Sequence, residues 1–399
     1  MPDIAPTSRA PSVALTLLGL MLVALNLRPA LTSVSPVLSQ IGDSLSLSSS
    51  GQGILTTLPV LFLGLLAPVA PLAARRLGVD RTVLAAVIVL ALALLVRPYA
   101  GITGLFIGTV IAGGCIGVMG VLLPGIVKRD FSRSASLLTG VYTAVLCLGA
   151  SAAAGATEPM RIAFGNDWQA ALAIWMVPAV IAAVIWWCQL NGKHVPKTHI
   201  KPERSLFRDR LAWQVTLYMG LQSSLAYSVF GWLPTILQDR GLSPVDAGLG
   251  LSVSILTQIS TAIAFPWISS HMRDQRAMLA LAVILTVSGI AGCIYAPISG
   301  VWFWAVILGL GQGGTFSMAL TLLAVRARDA DMAARLSGMA QGIGYTMAAI
   351  GPLVLGLLHD AFDDWQVAGI FLGAIGIAAL GFGVAAGRDR YVGESAESC

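Results

Sequence analysis

Apolar residues run along this chain in blocks of about twenty, separated by short clusters of charged and turn-forming residues, with no sustained period-two alternation. Runs of that length match the hydrocarbon thickness of a bilayer when wound as helices, and open strands cannot satisfy their backbone in lipid. The pattern predicts twelve spans: 13–38, 51–73, 80–97, 101–126, 135–160 and 168–190, then 211–238, 246–270, 276–296, 300–325, 333–358 and 366–387. One longer polar stretch, Asn191 to Arg210, separates six spans from six. The expected organisation is a six-helix bundle over 1–190, a cytoplasmic linker over 191–210 and a second six-helix bundle over 211–399.

Composition agrees with this pattern. The 399 residues are 56% hydrophobic and 11% charged, with a mean hydropathy of +0.82, against about 25% charged residues in soluble domains. An all-α, multi-pass membrane protein is expected. The formal net charge of +5 does not imply a nucleic-acid partner, because the basic residues flank the spans. With the N-terminus inside, twenty Lys and Arg fall on the inner side and three, Arg97, Arg161 and Arg240, on the outer. The positive-inside rule then places both termini in the cytoplasm. The first span is too long, and too poor in a small-residue cleavage site, for a removable signal.

Arg28 departs from the flanking pattern. It lies in Asn26-Leu27-Arg28-Pro29 within the first span, and no acidic residue stands between Asp3 and Asp43. On a continuous helix from residue 12 it sits about 24 Å from the start, past the bilayer centre. A central Arg costs roughly 2.5–3.5 kcal/mol to insert, so such residues face a bundle interior or an aqueous cavity. A guanidinium is a permanent charge with a planar fork of donors suited to a carboxylate or small planar anion. Asn26, two residues away, points about 200° around such a helix, toward a neighbouring span.

Five scattered cysteines, without CxxC spacing, read as small core residues. HExxH, Gly-x-Ser-x-Gly and paired intramembrane carboxylates are all missing from the sequence, which argues against an intramembrane enzyme. No cofactor or metal is implied. The glycine-rich tenth span lacks the Lys-Ser/Thr of a phosphate loop and suits close helix packing.

The halves repeat with a shift of about 198 residues. Leu138-Thr139-Gly140 matches Leu336-Ser337-Gly338, Trp168-Gln169 matches Trp365-Gln366, and Pro36 matches Pro234. Arg28 falls opposite Ala226 and Asn26 opposite Ser224. The scaffold is symmetric and the charge is not, so a site at the asymmetric position is expected.

Parallel six-helix repeats are the organisation of the major facilitator superfamily, with substrate bound between the halves near the midplane. The chain resembles the cyanate and nitroimidazole transporter family of that superfamily through Asn26-Leu27-Arg28-Pro29, Leu55-Thr56-Thr57-Leu58-Pro59, Leu122-Leu123-Pro124-Gly125, Trp232-Leu233-Pro234 and Gly309-Leu310-Gly311-Gln312-Gly313-Gly314. The resemblance covers nearly the whole chain. It implies a monomeric inner-membrane secondary transporter of a small anionic or planar polar compound, working by alternating access. A multidrug exporter of the same fold, with Arg28 structural, is the alternative.

It also directs attention to spans 1, 5, 7, 10 and 11 as cavity walls. Besides Arg28 and Asn26, the substrate-binding candidates are Tyr142 and Thr143 on span 5 and Gln222, Tyr227 and Trp232 on span 7. Gln312 on span 10, with Gln341 and Tyr345 one turn apart on span 11, completes them. Each amide or hydroxyl could instead join neighbouring helices. Arg75, Arg76, Gly78, Asp80 and Arg81 form a degenerate version of the superfamily's gating loop. Glu158, near the outer end of span 5, is the candidate for proton coupling.

Overall fold

The computed structural model describes residues 13–131, 135–190, 206–328 and 330–393; Arg133, the linker histidines at 194 and 199 and most of the 191–210 linker lie outside them. Within these residues the chain is helical. Span 1 comprises α1 (Val13–Leu25), α2 (Pro29–Thr32) and α3 (Leu38–Leu45). Span 2 is α4 (Ser49–Leu66) with α5 (Val69–Leu77), span 3 is α6 (Val79–Val96) and span 4 is α7 (Gly101–Asp130). Span 5 is α8 (Ala135–Ala163), and span 6 is α9 (Trp168–Ala173) with α10 (Met176–Gln189). The second half follows as α11 (Arg210–Asp239), α12 (Pro244–Ser269), α13 (Arg276–Tyr295) and α14 (Val301–Val325). Span 11 divides into α15 (Ala330–Ala348) and α16 (Ile350–Phe362), and span 12 is α17 (Trp365–Ala386).

Eleven segments among the described residues are long and apolar enough to cross a bilayer. The twelfth crossing, α11, is thirty residues long, about 45 Å of helix, and falls below the others in apolarity because it carries glutamine and serine into the bundle.

Local sequence explains where helices begin. Asp167 caps α9 by accepting from the Gln169 and Ala170 amides, Asp364 caps α17 through the Gln366 amide, and Ser48 and Ser243 cap α4 and α12. The repeated Trp-Gln pair therefore marks the first turn of a helix in both halves. Gly78, at φ 87°, reverses the chain between α5 and α6, a conformation that glycine adopts without a Cβ clash.

Large apolar side chains such as Leu92, Trp187, Trp267, Ile370 and Ile377 face outward, as a lipid-facing surface requires. The halves meet at the end away from the last turns of α7 and α14. There Ser151 and Ser252 share a 2.7 Å hydrogen bond, Ser49 meets His359 Nδ1 at 3.1 Å, and the Ser50 amide donates to Asp360 at 2.7 Å. A Cβ added at Gly53 would stand 3.2 Å from Gly356. At the basic end, a Cβ added at Gly140 or Gly338, the pair matched by the repeat, meets nothing within 4 Å.

Candidate functional site

Span 1 is not the continuous helix expected from its apolar pattern. Helix α1 stops at Leu25 and α2 starts at Pro29, with Arg28 as its N-cap residue at φ −119°, ψ −29°. Proline has no amide hydrogen and crowds the preceding turn, so the Leu25 carbonyl loses its helical donor and the chain tightens. Asn26 and Leu27 donate three residues back, to Val23 and Ala24. Broken helices with irregular backbone at membrane depth occur where they are buried in protein or line a cavity.

Neighbouring spans hold the break in place. Gly149 of α8 presses on the Leu25 carbonyl so closely that an added Cβ would lie 2.1 Å from the oxygen. Thr32 Oγ1 donates to the Ala150 carbonyl at 3.0 Å. Arg97, at the end of α6, is fully buried; its guanidinium donates to the Ala30 carbonyl at 3.0 Å and to Ser33 Oγ at 3.4 Å, and its Nε has no protein partner. Placed by sequence among the outer flanking charges, Arg97 is a second cation inside the protein, and it braces the segment that follows Arg28.

The Arg28 guanidinium has no ion-pair partner among the described residues. Three rings surround it instead, with centroids 5.1 Å (Phe230), 5.6 Å (Phe316) and 5.8 Å (Tyr227) from Cζ. Such contacts are worth about 0.5–2 kcal/mol each, enough to orient a cation but leaving its in-plane donors unused. Tyr227 in turn meets Tyr345 edge-on at 6.1 Å.

Arg28 lines a cavity with Gln222, Gln258, Gln312 and Tyr345. It is small, about 10 Å³, close to what one water needs. Gln258 Nε2 donates to Gln312 Oε1 at 3.0 Å, and Gln222 Nε2 donates to Ser223 Oγ at 2.7 Å. That leaves Gln312 Nε2 and Gln222 Oε1 buried without partners among the described residues, one donor and one acceptor beside the cation. Ala226, the repeat counterpart of Arg28, lines the same cavity.

The other sequence candidates fall outside this lining, although Tyr142 stays within electrostatic reach of Arg28 and Tyr345. Asn26 is buried and donates to the Leu22 carbonyl at 2.8 Å, bracing the end of α1. Trp232 donates to the Pro352 carbonyl at 2.9 Å and packs against Trp365 and His359, which touch each other, near the closed end. Gln341 donates to Ser337 at 2.6 Å, and Thr143 donates to the Thr139 carbonyl at 2.9 Å. Tyr142 is half-buried on the same helix as Thr143. None of these five belongs to the lining of the Arg28 cavity.

Glu158 is buried and holds Arg161 with both oxygens at 2.8 Å. In the loop between spans 2 and 3, Asp80 receives Arg129 of the same half through two 2.9 Å bonds, while Arg75 and Arg76 end α5 and Arg81 stands in the first turn of α6. Sequence reasoning missed Gln258, Phe230 and Phe316. The amide of Gln258 in an apolar span was a usable signal; the two phenylalanines look like any lipid-facing residue.

This arrangement, two halves closing on a central cation, can be set beside known proteins. Residues 16–352 match the Major Facilitator Superfamily. The chain belongs to that superfamily. It is 36% identical to the 2-nitroimidazole transporter of Escherichia coli (strain K12), over 94% of this chain and 95% of that one. It is also 31% identical to the cyanate transport protein CynX of the same organism, over 88% and 91% of the two chains. Among solved structures, that of a point mutant of the nucleoside transporter NupG superposes with a TM-score of 0.73 at 12% identity, covering 93% of this chain and 99% of the other. This member of the superfamily therefore groups with cyanate- and nitroimidazole-type transporters, is a multi-pass membrane protein, and comes from a family of transporters.

Proposed function

We propose that the protein is a secondary active transporter that carries a small anionic or small planar polar compound across the bacterial inner membrane by alternating access, with both termini cytoplasmic and Arg28 as the main anchor. The observation that carries this reading is the Arg28 guanidinium, held at a helix break between aromatic faces with no carboxylate among the described residues to neutralise it. A permanent charge at membrane depth, only partly exposed and without a counter-ion, is costly, and a bound anion removes that cost. The rings accept no conventional hydrogen bond and no described residue takes one from the guanidinium, so its donors stay available for a carboxylate-like group. Gln222 and Gln312 supply an acceptor and a donor beside it.

The cavity takes walls from spans 1, 7, 8, 10 and 11, so it opens and shuts with the halves. The Ser151–Ser252, Ser49–His359 and Ser50–Asp360 contacts would form the outer gate, on the orientation that the basic loops imply. The two six-helix units, 1–190 and 211–399, would rock as bodies about the site, joined by the 191–210 linker.

Coupling through Glu158 is part of the same proposal. For it to carry a proton, Glu158 has to exchange Arg161 for that proton, so pH-dependent flux that survives Glu158→Gln assigns coupling elsewhere. The test of the whole is uptake and counterflow in proteoliposomes. Arg28→Gln is expected to lower flux of a transported anion at least about tenfold, the worth of one charge-assisted hydrogen bond. Undiminished flux would remove Arg28 from the mechanism.

A further inference from the structure

A second cavity adjoins the first. It is lined by Ala30, Leu31 and Val34 from the segment after Arg28, by Leu55, Pro59 and Val60 of α4, and by Gly231 of α11, and it shares Tyr227 and Phe230 with the Arg28 cavity. The two rings that flank the guanidinium are therefore walls of both chambers, whose remaining linings differ. One has a cation and three amides. The other has mostly aliphatic walls and two buried threonines: Thr56, whose hydroxyl donates to the Gln52 and Gly53 carbonyls, and Thr109, whose Oγ1 has no partner among the described residues.

We propose that this apolar annex is the specificity subsite of the transporter, and that the preferred ligand is a planar ring carrying one anionic group: the charge on Arg28, the ring inserted past Tyr227 and Phe230 against Leu55, Val60 and Val34. The inference rests on the anchor role argued above for Arg28. A small hydrated anion gains nothing from an aliphatic chamber, whereas a ring moved there leaves water and meets aromatic faces in offset or edge-on contact. Thr109 gives the far wall one hydrogen-bonding point for a ring substituent. Gly231 keeps the annex wall thin where span 7 meets span 2, since a Cβ there would stand 3.1 Å from Thr56.

The annex, like the Arg28 cavity, is small, about 10 Å³. Its walls come from spans 1, 2 and 4 of one half and span 7 of the other, so the motion that parts the halves widens both chambers together. A ring and its charged group would enter in one step, and the shared rings would close over them.

Equilibrium binding to the purified protein tests this with two acids of equal charge, benzoate and acetate, and their neutral amides. Benzoate is expected to bind at least about tenfold more tightly than acetate. Val60→Phe, which fills the annex, should bring that ratio to within about twofold of one. Leu55→Ala, which enlarges it, should raise the preference for 2-naphthoate over benzoate at least about threefold, and this arm decides the matter if Val60→Phe does not fold. A wild-type benzoate-to-acetate ratio near one overturns the proposal, as does a ring preference that neither substitution alters. Acetate binding that is lost in Arg28→Gln, without any ring preference, overturns the annex and leaves the anchor standing. A ring preference as large for the amides as for the acids, at equal affinity, leaves the annex standing and overturns the anchor.

Discussion

Spans 1 and 7 occupy equivalent places in the two halves, share a proline at 36 and 234, and fold differently. Span 7 is one helix from Arg210 to Asp239, while span 1 breaks between Leu25 and Pro29. Under the repeat, Pro29 falls opposite Tyr227 and Arg28 opposite Ala226. One helix thus supplies a cation at a break, and the other supplies an intact helical face with a ring where the proline would be. The two meet, since Tyr227 is one of the rings over Arg28. These two departures from symmetry help convert a duplicated scaffold into a polar centre, and the neighbours of span 1, Gly149 and Arg97 among them, are fitted to its break.

The sharpest way to break this comparison is to give span 7 the proline of span 1. Tyr227→Pro lies mid-helix in α11 with no neighbour shaped to accept a break, and it should cost about 3 kcal/mol or more, read as a large fall in thermal midpoint. Next, Gly149→Val puts a side chain onto the Leu25 carbonyl, where backbone on both sides limits relaxation. A loss of about 2–3 kcal/mol is expected, with no comparable effect from Gly140→Val, which has open space. Equal effects at the two glycines would deny that Gly149 is fitted to the break.

Smaller is Arg97→Met, which removes two hydrogen bonds to the segment after Arg28 but also removes a buried charge. Its net cost should be about 1–2 kcal/mol. The informative readout is kinetic: KM for the transported anion should rise severalfold with kcat little changed, because the Arg28 segment is less well held. Lost stability with an unaltered KM would make Arg97 a packing residue only.

The spans, the repeat and the central place of Arg28 were legible because each follows from hydropathy, charge and spacing along the chain. Gln222, Tyr227, Gln312 and Tyr345 were legible as polar or aromatic residues in otherwise apolar helices, and they line the same cavity as Arg28. The helix break was not drawn from Pro29, because an apolar span with a proline is as compatible with a continuous helix as with an interrupted one; Gly149 and Arg97, far away in sequence, decide it. Arg97 itself sits at the end of a span, where a basic residue ordinarily reaches water, and only the approach of Ala30 and Ser33 encloses it. Trp232 and Asn26 have the residue types of a site but spend their donors on the carbonyls of Pro352 and Leu22. Polarity within a span marks an interhelical contact or a ligand contact, and the facing helix determines which.

The central claim is that Arg28 meets the negative charge of the ligand. Equilibrium binding of a carboxylate and its neutral amide to the purified protein, compared across wild type, Arg28→Lys and Arg28→Gln, tests it most directly. The account predicts an acid preference of at least about tenfold in the wild type, a reduced preference with the point charge of lysine, and none with glutamine. An acid preference that persists undiminished in Arg28→Gln would contradict it.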